Sequence, residues 1–206
     1  MTAPLRKNFI LFLVAINLIA LPLVFFMNRR GVLNFKSGAT EAGLPEYGHL
    51  PAFQLTERSG KPVSEKNIKG SLWVADFIFT KCPNQCPLMT AKFALLQKTL
   101  PPDVRLVSFS VDPENDTPEK LRAYASAAGA DEKKWLFLTG QKTEIVRVLS
   151  ALHLGNGDDP GMHSLRFVLL GPELQILGYY NSEDSGALAQ LKHDIDQWME
   201  THEKKF

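Results

Sequence analysis

The run FILFLVAINLIALPLVFFM, residues 9–27, has no charged side chain over 19 positions and constrains the chain more than any other segment. At about 1.5 Å rise per residue a helix of that length covers roughly 28 Å, close to the ~30 Å hydrocarbon thickness of a bilayer. Arg6 and Lys7 flank it on one side, Arg29 and Arg30 on the other. The segment predicts an N-terminal transmembrane helix, with Asn17 and Pro22 as tolerable interruptions. A cleaved signal peptide is the rival reading. The apolar core is longer than the roughly 7–15 residues of such peptides, however, and no small-residue cleavage site follows directly. A buried core helix is the third reading. Arg29, Arg30 and Lys36 outnumber Arg6 and Lys7, which taken alone favours a cytoplasmic C-terminal part. A pair of cysteines able to oxidise fits the outer face instead, so the charge count and the thiols point in opposite directions.

Beyond the apolar run the composition is that of a folded domain. Of 206 residues 45% are apolar, and 23 basic side chains meet 22 acidic ones, for a net charge of +1. Such a balance gives no reason to expect a nucleic-acid partner. Two cysteines exclude a disulfide-dense scaffold. Residues 31–50 contain four glycines and few consecutive apolar residues, the composition of a tether. The expected organisation is a membrane anchor over 1–30, a tether over 31–50 and a folded domain over 51–206.

Within that domain, residues 72–79 (LWVADFIF) form an almost continuous apolar run, as expected of a strand buried on both faces. Residues 87–100 read as a helix with Leu88, Ala91 and Leu95 on the buried side, together with Phe93 and Leu96, ended by Pro101 and Pro102. A strand follows over 105–111. Thr117 and Pro118 look like an N-cap and first-turn proline opening a helix that stops at Gly129. A strand over 135–138, a helix over 143–152 and two strands over 165–170 and 175–180 come next, the latter pair joined by Gly171 and Pro172. An amphipathic helix over 185–202 closes the chain. This order predicts an α/β fold with a parallel core and an antiparallel hairpin at one side, the thioredoxin-like layout.

Cys82 and Cys86 lie in FTKCPNQCPLM, at the junction between the first buried strand and the following helix. A helix N-terminus offers unpaired backbone N–H groups and a positive dipole end, both of which favour a thiolate. If the segment is helical, spacing i to i+4 puts both sulfurs on one face, close enough for a disulfide or for shared metal coordination. Inert packing and a plain structural disulfide are the alternatives, but Pro83 and Pro87 belong to a loop and a first turn rather than a packed interior. The extra residue relative to C-x-x-C weakens a pure redox reading without removing it. Two thiolates are too few for a closed zinc site, whereas soft sulfur suits Cu(I) and an added imidazole also suits Cu(II).

Five histidines could supply that imidazole: His49, His153, His163, His193 and His202. His49 falls in the tether, His193 and His202 on a polar helix face, and His153 at a helix end. His163 follows the loop GNGDDPGM and precedes a buried strand. On residue type alone it is open between a metal ligand and a hydrogen-bonded loop histidine.

Three ordered motifs resemble the Sco/SenC copper chaperones of cytochrome c oxidase assembly. They are Thr80, Cys82, Pro83, Cys86 and Pro87 after a strand; SVDPENDTPE over 110–119; and His163 with Ser164 ahead of a strand and the Gly171-Pro172 turn. The resemblance covers residues 51–206. It implies a thioredoxin-like domain outside the cytoplasm, held by one helix in the cytoplasmic (inner) membrane and facing a periplasm. It further implies copper bound by Cys82, Cys86 and His163 and delivered to the dinuclear copper centre of oxidase subunit II. Thiol-disulfide exchange that keeps target cysteines reduced is the alternative, with Cys82 attacking and Cys86 resolving. Many members have Asp before the ligand histidine where this chain has Met162. Met162 and Met89 are weak candidates for auxiliary ligands. Asp112 and Asp116 are open between docking or loop order, as the resemblance suggests, and ordinary turn and cap chemistry.

Overall fold

The computed structural model describes residues 44–82, 85–153 and 165–203. The predicted membrane segment, His163 and Met162 lie outside them. Among the described residues no helix is long and apolar enough to cross a membrane.

Strand β3 (Leu72–Ile78) is buried at all seven positions, as its unbroken apolar run requires. Chain order is β1 (Gln54–Glu57), β2 (Pro62–Ser64), α1 (Glu65–Ile68), β3, α2 (Gln85–Thr99), β4 (Val104–Ser110), α3 (Pro118–Ala127), β5 (Trp135–Thr139), α4 (Lys142–Ala151), β6 (Arg166–Leu170), β7 (Ile176–Asn181) and α5 (Ser185–Glu203). The strands form one sheet in the order β2-β1-β5-β4-β3-β6-β7. β3 pairs in parallel with β4, and β4 with β5. β6 pairs antiparallel with both β3 and β7. The parallel core and the flanking hairpin agree with the sequence reading. The short β1, β2 and α1 were not anticipated.

Alternation along the strands divides the interior into two layers. Trp73, Ala75, Phe77, Val107, Phe109 and Leu170 pack with α1 and α4 side chains such as Ile68, Ile145 and Leu149. Leu72, Val74, Ile78, Leu106, Phe137 and Leu169 pack with α2, α3 and α5 through Met89, Phe93, Leu121 and Leu191. Helix α3 begins as expected: Pro118 follows Thr117, whose hydroxyl accepts the Lys120 N–H at 3.4 Å. It ends at Gly129, whose φ of 66° lets the Ala130 N–H reach back to the Ala125 carbonyl at 3.0 Å.

Two expectations are corrected. Helix α2 buries Cys86, Met89, Thr90, Phe93 and Leu96, while Leu88 and Leu95 are 66% and 61% exposed and Ala91 faces solvent with them. The helix is apolar on both sides, so an i, i+3, i+7 pattern fits two phases. The sheet selects the one carrying the aromatic ring. The ordered body also takes in residues 44–50, read above as tether: Leu50 is buried and its N–H donates to the Leu174 carbonyl, while the Tyr47 N–H donates to Ile176.

Candidate metal and thiol site

Parallel strands place their C-terminal ends, and the helix N-termini that follow, at one end of the sheet. Chain leaving β3 there makes a turn in which the Cys82 N–H donates to the Phe79 carbonyl at 3.1 Å. Helix α2 starts at Gln85, so Cys82 lies before the helix and Cys86 in its first turn. Pro87 occupies that same turn, where its missing N–H leaves no intrahelical bond unmade. The Cys86 N–H donates to the Cys82 Sγ at 3.3 Å, an N-terminal backbone donor aimed at a sulfur. The pair thus meets across the turn at the helix N-terminus and not on one helical face, since Cys82 precedes α2.

The pair is asymmetric. Cys86 is fully buried and Cys82 half-buried. Burial pushes the Cys86 thiol well above the ordinary cysteine range, partly offset by a hydrogen bond with the Phe79 backbone and reinforced by Cys82 and Asp76. Cys82 is therefore the sulfur an incoming group meets first.

Four residues around the pair escaped the sequence reading or were left ambiguous by it. Asp116 is fully buried; it accepts the Thr80 hydroxyl at 2.5 Å, the Thr80 N–H at 3.1 Å and the Ser110 hydroxyl at 2.7 Å. It ties the β4–α3 loop to the residue two before Cys82, which is loop order rather than helix capping. Asp112 does turn chemistry: its carbonyl accepts the Asn115 and Asp116 N–H groups, and its carboxylate accepts the Asn115 amide.

Asp76 of β3 faces the α2 layer between Val74 and Ile78. It is fully buried, and desolvation raises its pKa from 3.8 to about 7. Ser108, its register partner on β4, pulls the other way. Even so, among the described residues neither carboxylate oxygen has a donor in hydrogen-bonding geometry. The signal available in sequence was one acid inside LWVADFIF. Tyr124 of α3, hydrogen-bonded to Thr90 at 2.7 Å, is pushed up to about 12 by burial, with smaller contributions from Cys86, Asp76 and Cys82.

Among the described residues no three His, Cys, Asp or Glu side chains converge as a metal site. His49 pairs with Glu46 at 3.3 Å, His193 is exposed, and His202 stacks on Trp198 at 3.9 Å. His153 closes the turn after α4. Met89 is a core side chain of α2. What the two sulfurs offer by themselves is a soft, adjacent, partly desolvated donor pair, which fits Cu(I).

The fold and this pair define a thioredoxin-like thiol domain with its cysteines at the mouth of the first crossover helix. The SCO1/SenC family model matches residues 43–200, and the chain belongs to that family. It is 36% identical over 152 residues to the SCO1 protein homolog of Bacillus subtilis, an alignment covering 69% of this chain and 79% of that one. BsSco, described as a member of the Sco family of cytochrome c oxidase assembly proteins with a disulfide switch, superposes with a TM-score of 0.65 at 34% identity, over 76% of this chain and 96% of its own. Bradyrhizobium japonicum ScoI, solved with copper bound, gives a TM-score of 0.58 at 27% identity, over 71% and 99%.

Proposed function

We propose that this chain is a membrane-anchored copper donor. It carries the ion on Cys82, Cys86 and His163 and delivers it to the dinuclear copper centre of cytochrome c oxidase subunit II. The observation that carries the reading is the contact of the Cys82 Sγ with the Cys86 N–H, which holds two soft donors together at a helix N-terminus. Membership of the SCO1/SenC family and the copper-bound relative support it. Copper is cargo here, so release matters as much as capture. The half-buried Cys82 is the ligand an acceptor displaces first, and the buried Cys86 holds the ion until the acceptor's own ligands are in place. Both thiols shed protons on loading, so affinity rises with pH. Residues 9–27 are the anchor within 1–30, residues 31–43 the tether and the residues from 44 onward the domain, which faces the extracytoplasmic side.

The test is a copper titration of the reduced full-length protein in detergent, compared with Cys82→Ser, Cys86→Ser and His163→Ala. Wild type binds one equivalent, either cysteine variant loses tight binding, and His163→Ala loses Cu(II) selectively. Undiminished binding in a cysteine variant would sink the ligand assignment.

The exposure difference within the pair favours a second reading, thiol-disulfide exchange. The Cys82 thiolate attacks a target disulfide and expels one target thiolate. Cys86 then displaces the other, leaving a Cys82–Cys86 disulfide and two reduced target cysteines. Retained exchange activity in His163→Ala would assign both activities to one pair of sulfurs.

A further inference from the structure

Two of the three large hydrophobic side chains exposed among the described residues, Leu88 and Leu95, lie on one helix, α2. With Ala91 between them they follow an i, i+3, i+7 course and form a single solvent-facing stripe that begins two residues after Cys86. Lys98, also exposed, continues the same line, so the row from 88 to 98 runs about 15 Å along the helix. The helix has no acidic residue; Lys98 is exposed on it, Lys92 is half-buried with its ammonium on the Ser182 carbonyl, and exposed Lys81, which donates to Asn115, stands beside Cys82. Leucine in such positions contributes nothing to the core already filled by Met89, Phe93 and Leu96 on the opposite face.

We propose that the Leu88, Ala91 and Leu95 stripe is the docking surface for the protein that accepts the cargo of the cysteine pair, a partner presenting an apolar patch rimmed by carboxylates beside its own thiol ligands. This rests on the copper-donor reading. Ligand exchange requires donor and acceptor to share one ion, with metal–thiolate bonds on the order of 2.3 Å, so the acceptor covers the surface around Cys82. The first exposed turn of α2 belongs to that surface. Charge selects the occupant further. A second copy seated face to face would set the exposed Lys81 and Lys98 against their own kind, whereas an acid-rimmed acceptor is attracted by them. A short stripe buries the modest area of a transient complex, which suits a donor that must let go.

The test uses the full-length protein in nanodiscs and the copper-free, reduced copper domain of oxidase subunit II as probe. It compares wild type, Leu88→Asp/Leu95→Asp and the uncharged Leu88→Ser/Leu95→Ser, and Cu(I) affinity is measured in parallel by chelator competition. Both double variants are expected to weaken the complex, the Asp pair about tenfold or more, with Cu(I) affinity unchanged. Lys98→Glu is expected to weaken it further and to flatten its salt dependence. Equal affinity in wild type and variants, or no complex with wild type, overturns the proposal. A stripe-dependent change found in self-association or in binding to anionic vesicles, instead of in binding to the subunit II domain, overturns it in favour of a second copy or a membrane. Stripe-dependent binding of the domain by a wild type that holds no copper would leave the docking face standing and remove the copper reading instead.

Discussion

Asp76 occupies a position where a carboxylate is costly: inside β3, fully buried, with neither oxygen hydrogen-bonded among the described residues. The Ser108 hydroxyl opposite already accepts the Trp135 Nε1–H at 2.9 Å, so its own proton is the nearest available donor. The folded protein holds the Asp76 proton up to about pH 7, whereas the unfolded chain releases it near 3.8. Between those values the native state binds more protons than the denatured state, so stability falls as pH rises. The contribution is fully present below about pH 4 and is lost by about pH 7, with a ceiling of roughly 4 kcal/mol. Urea unfolding of the metal-free protein at pH 5 and pH 8 should therefore show a loss of stability that Asp76→Asn largely abolishes, making the variant the more stable protein at pH 8. An unchanged slope in Asp76→Asn would mean that the carboxyl is hydrated. Hydropathy alone hides this residue, because one acid among six apolar neighbours leaves the strand assignment intact. The cysteines were legible for the opposite reason: their flanking prolines and strand-to-helix placement limit where they can go.

Among the elements, the β4–α3 loop has a structural duty that its turn-like sequence conceals. Asp116 accepts from Thr80 and Ser110 and so sets the loop that presents Cys82. Asp116→Ala strands two hydroxyls and a backbone N–H, and is expected to cost about 3 kcal/mol or more in chemical denaturation. Asp116→Asn, which keeps an acceptor, should cost less. Faster alkylation of Cys82 in Asp116→Ala would report the loosened loop, whereas an unchanged rate would confine the role of Asp116 to stability. Thr117→Ala removes only a cap and is expected to cost about 1 kcal/mol. The long periodic elements were readable because burial on both faces leaves continuous apolar runs, as in β3, and because caps and breakers bracket helices, as Thr117, Pro118 and Gly129 do for α3. The short β1 and β2 were not, since four and three residues hold too little periodicity and their order comes from pairing with each other and with β5. The phase of α2 was misread for a related reason. Its second apolar face has no counterpart in the sheet, and local pattern cannot distinguish a face made for the core from one made for a partner.

On the scale of the whole molecule, the proposed anchor and the folded body have opposite requirements, and their connection decides where the cysteines work. Residues 31–43 can extend at most roughly 45 Å, which would keep the site within reach of a membrane-embedded oxidase. Orientation is a balance of flanking charge. If the body lies outside the cytoplasm, Arg29 and Arg30 have been translocated, and Arg6 and Lys7 alone hold the N-terminus inside. That topology is marginal by charge count and open to perturbation. Alkaline phosphatase fused after Phe206 is expected to be active and a cytoplasm-dependent reporter at the same point inactive. Arg6→Ser/Lys7→Ser should invert a measurable fraction of the molecules, and Arg29→Ser/Arg30→Ser should leave the wild-type topology intact. The reverse reporter pattern in wild type would place the cysteine pair in the reducing cytoplasm and remove delivery to an extracytoplasmic copper centre as its task.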